Sequence, residues 1–239
     1  IFLLGKSKVN QFKTWDNGRI IFLGANAKAE KNQKTDGKYF KITRPSAFNK
    51  KSIIKITKFN RRNGIIEIDN ESFGIDKSAS FKAVKNTRKL KKLTKKKIDF
   101  LYNRSNGRLY FNENGNKNGF GDGGIVAILK GGPRLSLKNL EYIRKTISVP
   151  KKYKKRLVDK IINFRASNEK LKVNINDFGI NKSPTFKAAK NKKQRNRLTR
   201  KDIDFIYDQK KGGLYFNENA AYKDFGDGGI IAILKGAPD

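Results

Sequence analysis

The stretch "LYFNENGNKNGFGDGGIVAILKG", residues 109–131, places two short apolar runs around a loop of Asn, Glu, Asp and Gly. Nearly the same letters return as "LYFNENAAYKDFGDGGIIAILKG", residues 214–236. The match extends without a gap back to Phe59 and Phe164, at a constant spacing of 105 residues (164 − 59). Repetition at this length indicates a duplicated module rather than a solenoid of short repeats.

The repeat predicts the domain organisation. We expect one module at residues 49–147 and a second at 157–239, clipped at its C-terminal end relative to its twin. A basic linker containing a proline, residues 148–156, separates them. The stretch "DNGRIIF" (residues 16–22) resembles "RSNGRLYF" of the first module, so residues 1–48 are interpreted as a degenerate partial module.

Composition excludes several classes of chemistry. The chain contains no Cys and no His, which removes disulfides, thiolate nucleophiles and the usual zinc ligands. No apolar run approaches the ~20 residues that span a bilayer, so no transmembrane segment is expected. Without a nucleophile beside a base, or any sign of a substrate pocket, the chain is predicted not to be an enzyme.

The formal net charge of +35 has two interpretations. A surface this basic attracts nucleic acid, acidic polysaccharide or anionic lipid headgroups. The alternative is codon bias, since Lys, Asn and Ile are all abundant, as an AT-rich genome would produce. The sequence leaves both open.

Alternating apolar residues predict strands joined into antiparallel hairpins. "SIIKITKF" and "IIEIDN" are expected to pair across a turn at Asn63-Gly64. "DFLY" and "RLYF" are expected to pair across Asn106-Gly107, and Ile125–Leu129 is predicted to be a buried strand.

Two segments favour short helices. The apolar residues of "FKAVKNTRKLKKLTKKKI", residues 81–98, recur loosely at helical spacing, although Asn86-Thr87 could interrupt the helix. The segment "SLKNLEYIRK", residues 136–145, has Ser136 as a candidate N-cap. The predicted fold class is therefore mainly β: tandem β-rich modules of antiparallel hairpins with one or two short helices each.

The polar loop has three open interpretations. It could be a turn between strands, because Asn, Asp and Gly favour turns. It could bind calcium, which takes six to eight oxygen ligands from a chain able to bend sharply. A phosphate cradle is the third, but it needs a following helix, and a strand is predicted there. The candidate calcium ligands are Asn112, Glu113, Asn114, Asp122, Asp208, Asn217, Glu218, Asn219, Asp224 and Asp227.

The basic runs occupy equivalent places in the two modules. They are interpreted as a solvated face, as a surface for anionic polysaccharide or lipopolysaccharide, or as a nucleic-acid surface. No helix-turn-helix, zinc-finger or RNA-recognition signature supports the last of these. The candidate polyanion-binding residues are Arg88, Lys89, Lys91, Lys92, Lys95, Lys96, Lys97, Lys192, Lys193, Arg195, Arg197, Arg200 and Lys201.

The string "DFLYNRSNGRLYFNENGNKNGFGDGGIVAILKG" resembles the C-terminal module of secreted RTX-type proteins. It is similar in particular to the bluetail-domain variant at the tails of marine cyanobacterial surface proteins. In the first copy the fitting residues are Asp99, Phe100, Tyr102, Gly107, Leu109, Tyr110, Ile125, Ala127, Leu129 and Gly131. In the second copy they are Asp204, Phe205, Tyr207, Gly212, Leu214, Tyr215, Ile230, Ala232, Leu234 and Gly236.

This resemblance implies export by type I secretion machinery, residence outside the cell or at the cell surface, and folding assisted by Ca²⁺. The expected role is structural: a folding cap, an export-associated tail, or attachment to anionic cell-envelope polysaccharide or lipid. The alternative is an intracellular nucleic-acid-binding protein that uses the Lys and Arg runs. Calcium dependence of thermal stability favours the first, and salt-sensitive binding of a DNA duplex favours the second.

Overall fold

The computed structural model describes residues 14–15, 20–23, 39–165, 169–181 and 183–236 of the 239 in the chain. This described part is mainly β, as the alternating pattern predicts. Its short 3-10 helices span Leu137–Asn139 and Ile175–Phe178. The strands and α-helices, in chain order, are β1 (Thr14–Trp15), β2 (Ile20–Leu23), β3 (Tyr39–Ile42), β4 (Ile54–Ile56), β5 (Ile65–Asp69), β6 (Phe81–Val84), α1 (Thr87–Leu93), β7 (Phe100–Asn103), β8 (Arg108–Phe111), β9 (Gly124–Leu129), β10 (Leu140–Ile147), β11 (Asp159–Ile162), β12 (Glu169–Asn174), β13 (Phe186–Ala189), α2 (Lys192–Leu198), β14 (Phe205–Asp208), β15 (Gly213–Phe216) and β16 (Gly229–Lys235).

The chain divides into two compact units. The first-copy unit is Asn32–Arg144, and the second-copy unit combines Ile1–Lys31 with Lys145–Asp239. Most of residues 1–48, the predicted degenerate module, lies outside the described residues. That assignment therefore stays a prediction, and nothing tests the role of residues 148–156 as a linker.

The first-copy unit contains a five-stranded sheet in the order β4-β9-β8-β7-β6. Strands β7, β8 and β9 are antiparallel neighbours, whereas β4 lies parallel to β9 and β6 lies parallel to β7. Helix α1 lies in the connection between the parallel strands β6 and β7, which need a crossover longer than a tight turn. A second layer places β5 between β3 and the first half of β10, with all pairings parallel.

Both faces of this five-stranded sheet are buried. Phe100 packs toward the parallel layer in one apolar cluster with Ile66. Its neighbour Leu101 points to the opposite face, where it packs with Leu90 of α1. All four residues of β7 are buried as a result, so the strand does not alternate between buried and exposed residues.

The second-copy unit repeats the same sheet with the order β11-β16-β15-β14-β13. The register is preserved residue by residue: Phe81 pairs with Phe100 in the first copy, and Phe186 pairs with Phe205 in the second. The register shift between β8 and β9, after Leu109, recurs between β15 and β16, after Leu214. The sequence repeat is therefore a repeat of backbone structure. In this unit β12 lies parallel to β2.

The hairpin predicted across Asn63-Gly64 is wrong. Strand β4 pairs with β9, and β5 belongs to the other layer, where it pairs with β3 and β10. In the second copy β11 and β12 separate in the same way. Each apolar strand gains more burial between two layers than in an isolated two-stranded ribbon, so long-range parallel pairing replaces the local turn.

The helix predicted at residues 136–145 is also wrong. A 3-10 turn occupies Leu137–Asn139, and the rest is strand β10. Tyr142 and Ile143 suit a strand, and the ladder with β5 buries them. The basic helix is confirmed at α1, although Phe81–Val84 at its predicted start is a strand. Asn86 does not interrupt this helix but caps it.

Candidate functional site

The asparagine that follows each "LYF" triplet holds the polar loop in place. Asn112 is buried, and its Nδ2 group donates to the backbone carbonyls of Thr94, Lys96 and Gly115, over 3.3, 3.4 and 3.0 Å. Asn217 makes the equivalent bonds to the carbonyls of Thr199, Lys201 and Ala220. One side chain thus joins the loop to the turn after the basic helix.

The remaining loop residues close the loop on itself. Glu113 accepts a hydrogen bond from the backbone N–H of Asp122 (3.3 Å), and Asn114 donates to the carbonyl of Asn118 (3.1 Å). In the second copy Glu218 accepts from the Asp227 N–H (3.2 Å). There Asn219 donates to the carbonyl of Lys223 (2.9 Å).

An aromatic ring in each loop anchors it to the sheet. Phe120 stacks on Tyr110 with ring centroids 4.8 Å apart, and Phe225 stacks on Tyr215 at 5.0 Å. Each loop then leads into a strand, β9 or β16, so no helix N-terminus stands behind its glycines to cradle a phosphate. The loops are ordered turns with a defined interior.

Each loop contains two amide oxygens without a donor. The Oδ1 atoms of Asn112 and Asn114, and those of Asn217 and Asn219, are buried and have no hydrogen-bond partner among the described residues. Amide oxygens are ligands that calcium accepts. Within the described part of the chain, no group of three or more acidic side chains is placed to hold a metal ion. Asp122, Asp224 and Asp227 are exposed.

The structure separates Asp208 from the other predicted calcium ligands. Asp208 pairs with Gly213 in the β14–β15 ladder, while the loop begins beyond the opposite end of these strands, where Phe205 pairs with Phe216. The fully buried Asp208 carboxylate instead accepts from Arg195 Nη1 (3.0 Å) and from the backbone N–H of Lys211 (3.1 Å).

Arg195 differs from the other predicted polyanion-binding residues because it is half-buried. It donates to Asp208 and to the hydroxyl of Tyr215 (2.8 Å), and its guanidinium lies 4.6 Å from the centroid of that ring. Burial raises the pKa of Tyr215, and the charge of Arg195 lowers it in part. These contacts attach α2 to the sheet.

Sequence reasoning missed this ion pair, but the repeat contains a signal for it. The positions equivalent to Arg195 and Asp208 are Leu90 and Asn103 in the first copy. A cation and a carboxylate that appear together in one copy, where the other has two uncharged residues, are consistent with this ion pair.

The basic helices begin at matched asparagine caps. Asn86 accepts from the Lys89 N–H and Asn191 accepts from the Gln194 N–H, both at 2.9 Å. The other predicted polyanion-binding residues are exposed, and none forms an ion pair with an acidic side chain in the part of the chain that the structure describes. They are Arg88, Lys89, Lys91, Lys92, Lys95, Lys96, Lys97, Lys192, Lys193, Arg197, Arg200 and Lys201.

Among the described residues, no helix has the length and apolar character that crossing a membrane requires.

Comparison with known proteins finds no relative of this chain. The chain matches no protein-family model, and neither the curated proteins nor the solved structures contain a significant match to it.

Proposed function

We propose that this chain is a non-enzymatic structural module of a secreted or cell-surface protein, exported by type I secretion machinery. Its basic surfaces attach the parent protein to an anionic polysaccharide of the cell envelope. The resemblance to RTX-type tails supports the location and the export route, and the arrangement of exposed cations supports the attachment.

The observation that carries the attachment is a set of cations repeated at the same surface positions. Within the basic helices and the turns that follow them, four positions hold Lys or Arg in both copies, and all eight side chains are exposed. They lie on the basic helices and in the turns that follow them. The matched pairs are Arg88 and Lys193, Lys92 and Arg197, Lys95 and Arg200, and Lys96 and Lys201.

Repetition favours a polymeric ligand. A polymer with a regular spacing of charges engages two similar surfaces at once, which raises the overall affinity above that of either surface alone. A nucleic acid has the same general property. The basic helices and the turns that follow them, residues 87–98 and 192–203, contain no aromatic side chain that could stack on a base, and the sequence contains no nucleic-acid recognition motif, which favours the polysaccharide.

The acidic residues support a non-enzymatic role. The Asp99 carboxylate accepts from both the backbone N–H and the hydroxyl of Ser80, over 2.7 and 2.6 Å. Asp204 accepts from Thr185 in the same way, over 2.6 and 2.8 Å. These carboxylates hold the start of β7 and β14 against the neighbouring strand, which is a structural use.

The test compares two variants of equal charge for binding to alginate, a polymer of uronic acids. Near an anionic surface each cation contributes about 1 kcal/mol, so removal of four predicts a loss on the order of 100-fold or more. The helix variant carries Arg88→Gln, Lys92→Gln, Arg197→Gln and Arg200→Gln. The control variant carries Lys151→Gln, Lys152→Gln, Lys154→Gln and Lys155→Gln, which lie between the copies.

We expect the helix variant to lose alginate binding and the control variant to keep most of it. Equal losses would mean that only total charge matters and would overturn the proposal. Tighter binding of the wild-type chain to a DNA duplex than to alginate at about 150 mM salt would favour the nucleic-acid alternative.

Calcium-assisted folding is a second candidate property. The four donor-free amide oxygens in the loops favour it. We expect millimolar Ca²⁺ to raise the melting temperature, and equal Mg²⁺ to have less effect, because Mg²⁺ demands a stricter geometry. Glu113→Gln combined with Glu218→Gln should abolish the rise. A melting temperature unaffected by Ca²⁺ would refute this property and leave polysaccharide binding untouched.

A further inference from the structure

Three arginines converge on one pocket of the first-copy unit. The pocket has a volume of about 460 Å³, and every residue that lines it belongs to this unit. Its lining residues are Phe59, Arg61, Arg104, Gly131, Gly132, Pro133 and Arg134. No carboxylate is among them, so the pocket is a concentration of positive charge without an internal counter-ion.

Hydrogen bonds hold the walls of this pocket. Buried Asn139 donates from Nδ2 to the carbonyls of Arg61 (3.4 Å) and Gly64 (3.0 Å), which fixes the segment between β4 and β5. The backbone N–H of Arg104 donates to the carbonyl of Val84 (2.9 Å). The segment after β9 is turned by a bond from the Gly132 N–H to the Leu129 carbonyl (3.2 Å).

The arginine side chains are available to a ligand. Arg61 and Arg134 are exposed, and Arg104 is half-buried. The Nε atom of Arg104 is buried and has no acceptor among the described residues. A buried donor without an acceptor is rare in native proteins, and an acceptor supplied by a ligand would satisfy it.

We propose that this pocket binds a tetrahedral oxyanion, carried as a sulfate ester or a phosphate monoester on a sugar. The planar guanidinium group binds such oxyanions through paired hydrogen bonds. Several guanidiniums suit a group with three acceptor oxygens better than a carboxylate with two. A pocket of about 460 Å³ exceeds the size of a bare oxyanion and leaves room for the sugar that carries it.

The second copy lacks the three arginines. The residues equivalent to Arg61, Arg104 and Arg134 are Ala166, Gln209 and Asp239. The Gln209 N–H donates to the carbonyl of Ala189 at 2.9 Å, the bond that Arg104 makes in the first copy. The strand pairing at Gln209 therefore forms without an arginine there, and the three arginines are particular to the first copy.

The test uses inorganic phosphate and sulfate as probes, titrated into the whole chain at constant ionic strength and followed by calorimetry. We expect one site per chain. Arg104→Gln should weaken binding about 10- to 100-fold, the loss expected for hydrogen bonds to a charged group. Because Gln is the residue of the second copy, this variant should fold. Arg108→Gln, in the same hairpin but outside the pocket, should bind as the wild-type chain does.

A second variant and its control test the pocket through a different arginine. Arg61→Ala should weaken binding, whereas Arg62→Ala, the next residue and not part of the lining, should not. Equal weakening by all four variants, or two equivalent sites per chain, would overturn the proposal. Titration with glucose 6-sulfate and glucose 6-phosphate then identifies which ester is preferred. Glucuronate binding as tightly as both esters would also overturn it.

Discussion

Arg195 donates to the buried carboxylate of Asp208 across 3.0 Å, and the first copy replaces this ion pair with Leu90 and Asn103. Both versions attach the basic helix to the sheet. Leu90 does so by burying an apolar side chain, and Asn103 is satisfied by hydrogen bonds with Thr87 and Ser105. The two copies therefore contain two solutions to the same packing problem.

Arg195→Leu alone should destabilise the chain by about 3–5 kcal/mol, because it leaves the Asp208 carboxylate buried without its cation. The measurement is the free energy of unfolding from urea titration at neutral pH.

Arg195→Leu combined with Asp208→Asn removes the unpaired charge and should recover part of that loss. The recovery is incomplete because the second copy has Lys192 and Lys210 in place of Thr87 and Ser105, the side chains that bond Asn103. The single change Arg197→Leu, at an exposed position, is the control and should change stability by no more than about 0.5 kcal/mol. A double variant as unstable as the single Arg195→Leu variant would show that the charges, rather than the packing, are needed there.

The hydroxyl of Tyr102 is fully buried and has no hydrogen-bond partner in the described part of the chain. Burial raises the pKa of this tyrosine above its ordinary value, and the nearby Arg104 charge lowers it only in part. Tyr102→Phe removes an unpaired polar group, so we expect the variant at pH 8 to be as stable as the wild-type chain or about 1 kcal/mol more stable.

The pH dependence of this variant follows from the raised pKa. The unfolded chain ionises Tyr102 near pH 10, before the folded chain does, so the wild-type chain loses stability as the pH rises above 10. Tyr102→Phe lacks this contribution, and its advantage should grow between about pH 8 and pH 10.5 in urea titrations. A constant difference between the two proteins across this range would contradict the assignment.

Gly107 in the β7–β8 turn has both a positive φ and no room for a side chain, whereas Gly115 has only the positive φ. Its φ is +66°, and a Cβ atom at this position would overlap the carbonyl oxygen of Leu129. Gly115 has nearly the same φ, +65°, but a Cβ atom there would meet no other atom within 4 Å. Gly115→Ala should therefore cost about 1–2 kcal/mol from its backbone conformation alone.

Gly107→Ala should cost clearly more, about 3 kcal/mol or above, because the backbone of β9 must also move. Melting temperature and soluble yield, compared between the two variants, check this. Equal losses would mean that the sheet adjusts around the added methyl group.

Local signals made part of the fold predictable. Asn106-Gly107 marks the hairpin turn, and the run Ile125–Leu129 marks strand β9, because each signal depends on neighbouring residues. The pairing of Ile54 with Ala127 is not predictable in this way, because nothing near either residue specifies the distant partner. The expected hairpin at Asn63-Gly64 failed for that reason: the chain does turn at residues 61–63, but the strands on each side pair with other strands.

The candidate sites also differ in how far the sequence predicts them. Exposed cations could be predicted because charge density is visible in the sequence itself. The role of Arg195 could not be predicted, because only the folded chain shows that it contacts Asp208 and Tyr215. The arginine pocket could not be predicted, since Arg61, Arg104 and Arg134 come from three segments that only the folded chain brings together.

The buried amide of Asn112 provides the sharpest test of the loop. Its Nδ2 group donates to three backbone carbonyls, whereas a carboxylate at this position could donate to none of them when ionised. Asn112→Asp should therefore destabilise the chain at pH 7 by about 3 kcal/mol or more. Asn116→Asp, an exposed position in the same loop, has the same change of charge and should cost no more than about 0.5 kcal/mol. Urea titration of both variants measures the difference, and an Asn112→Asp variant as stable as Asn116→Asp would mean that these three hydrogen bonds do not hold the loop.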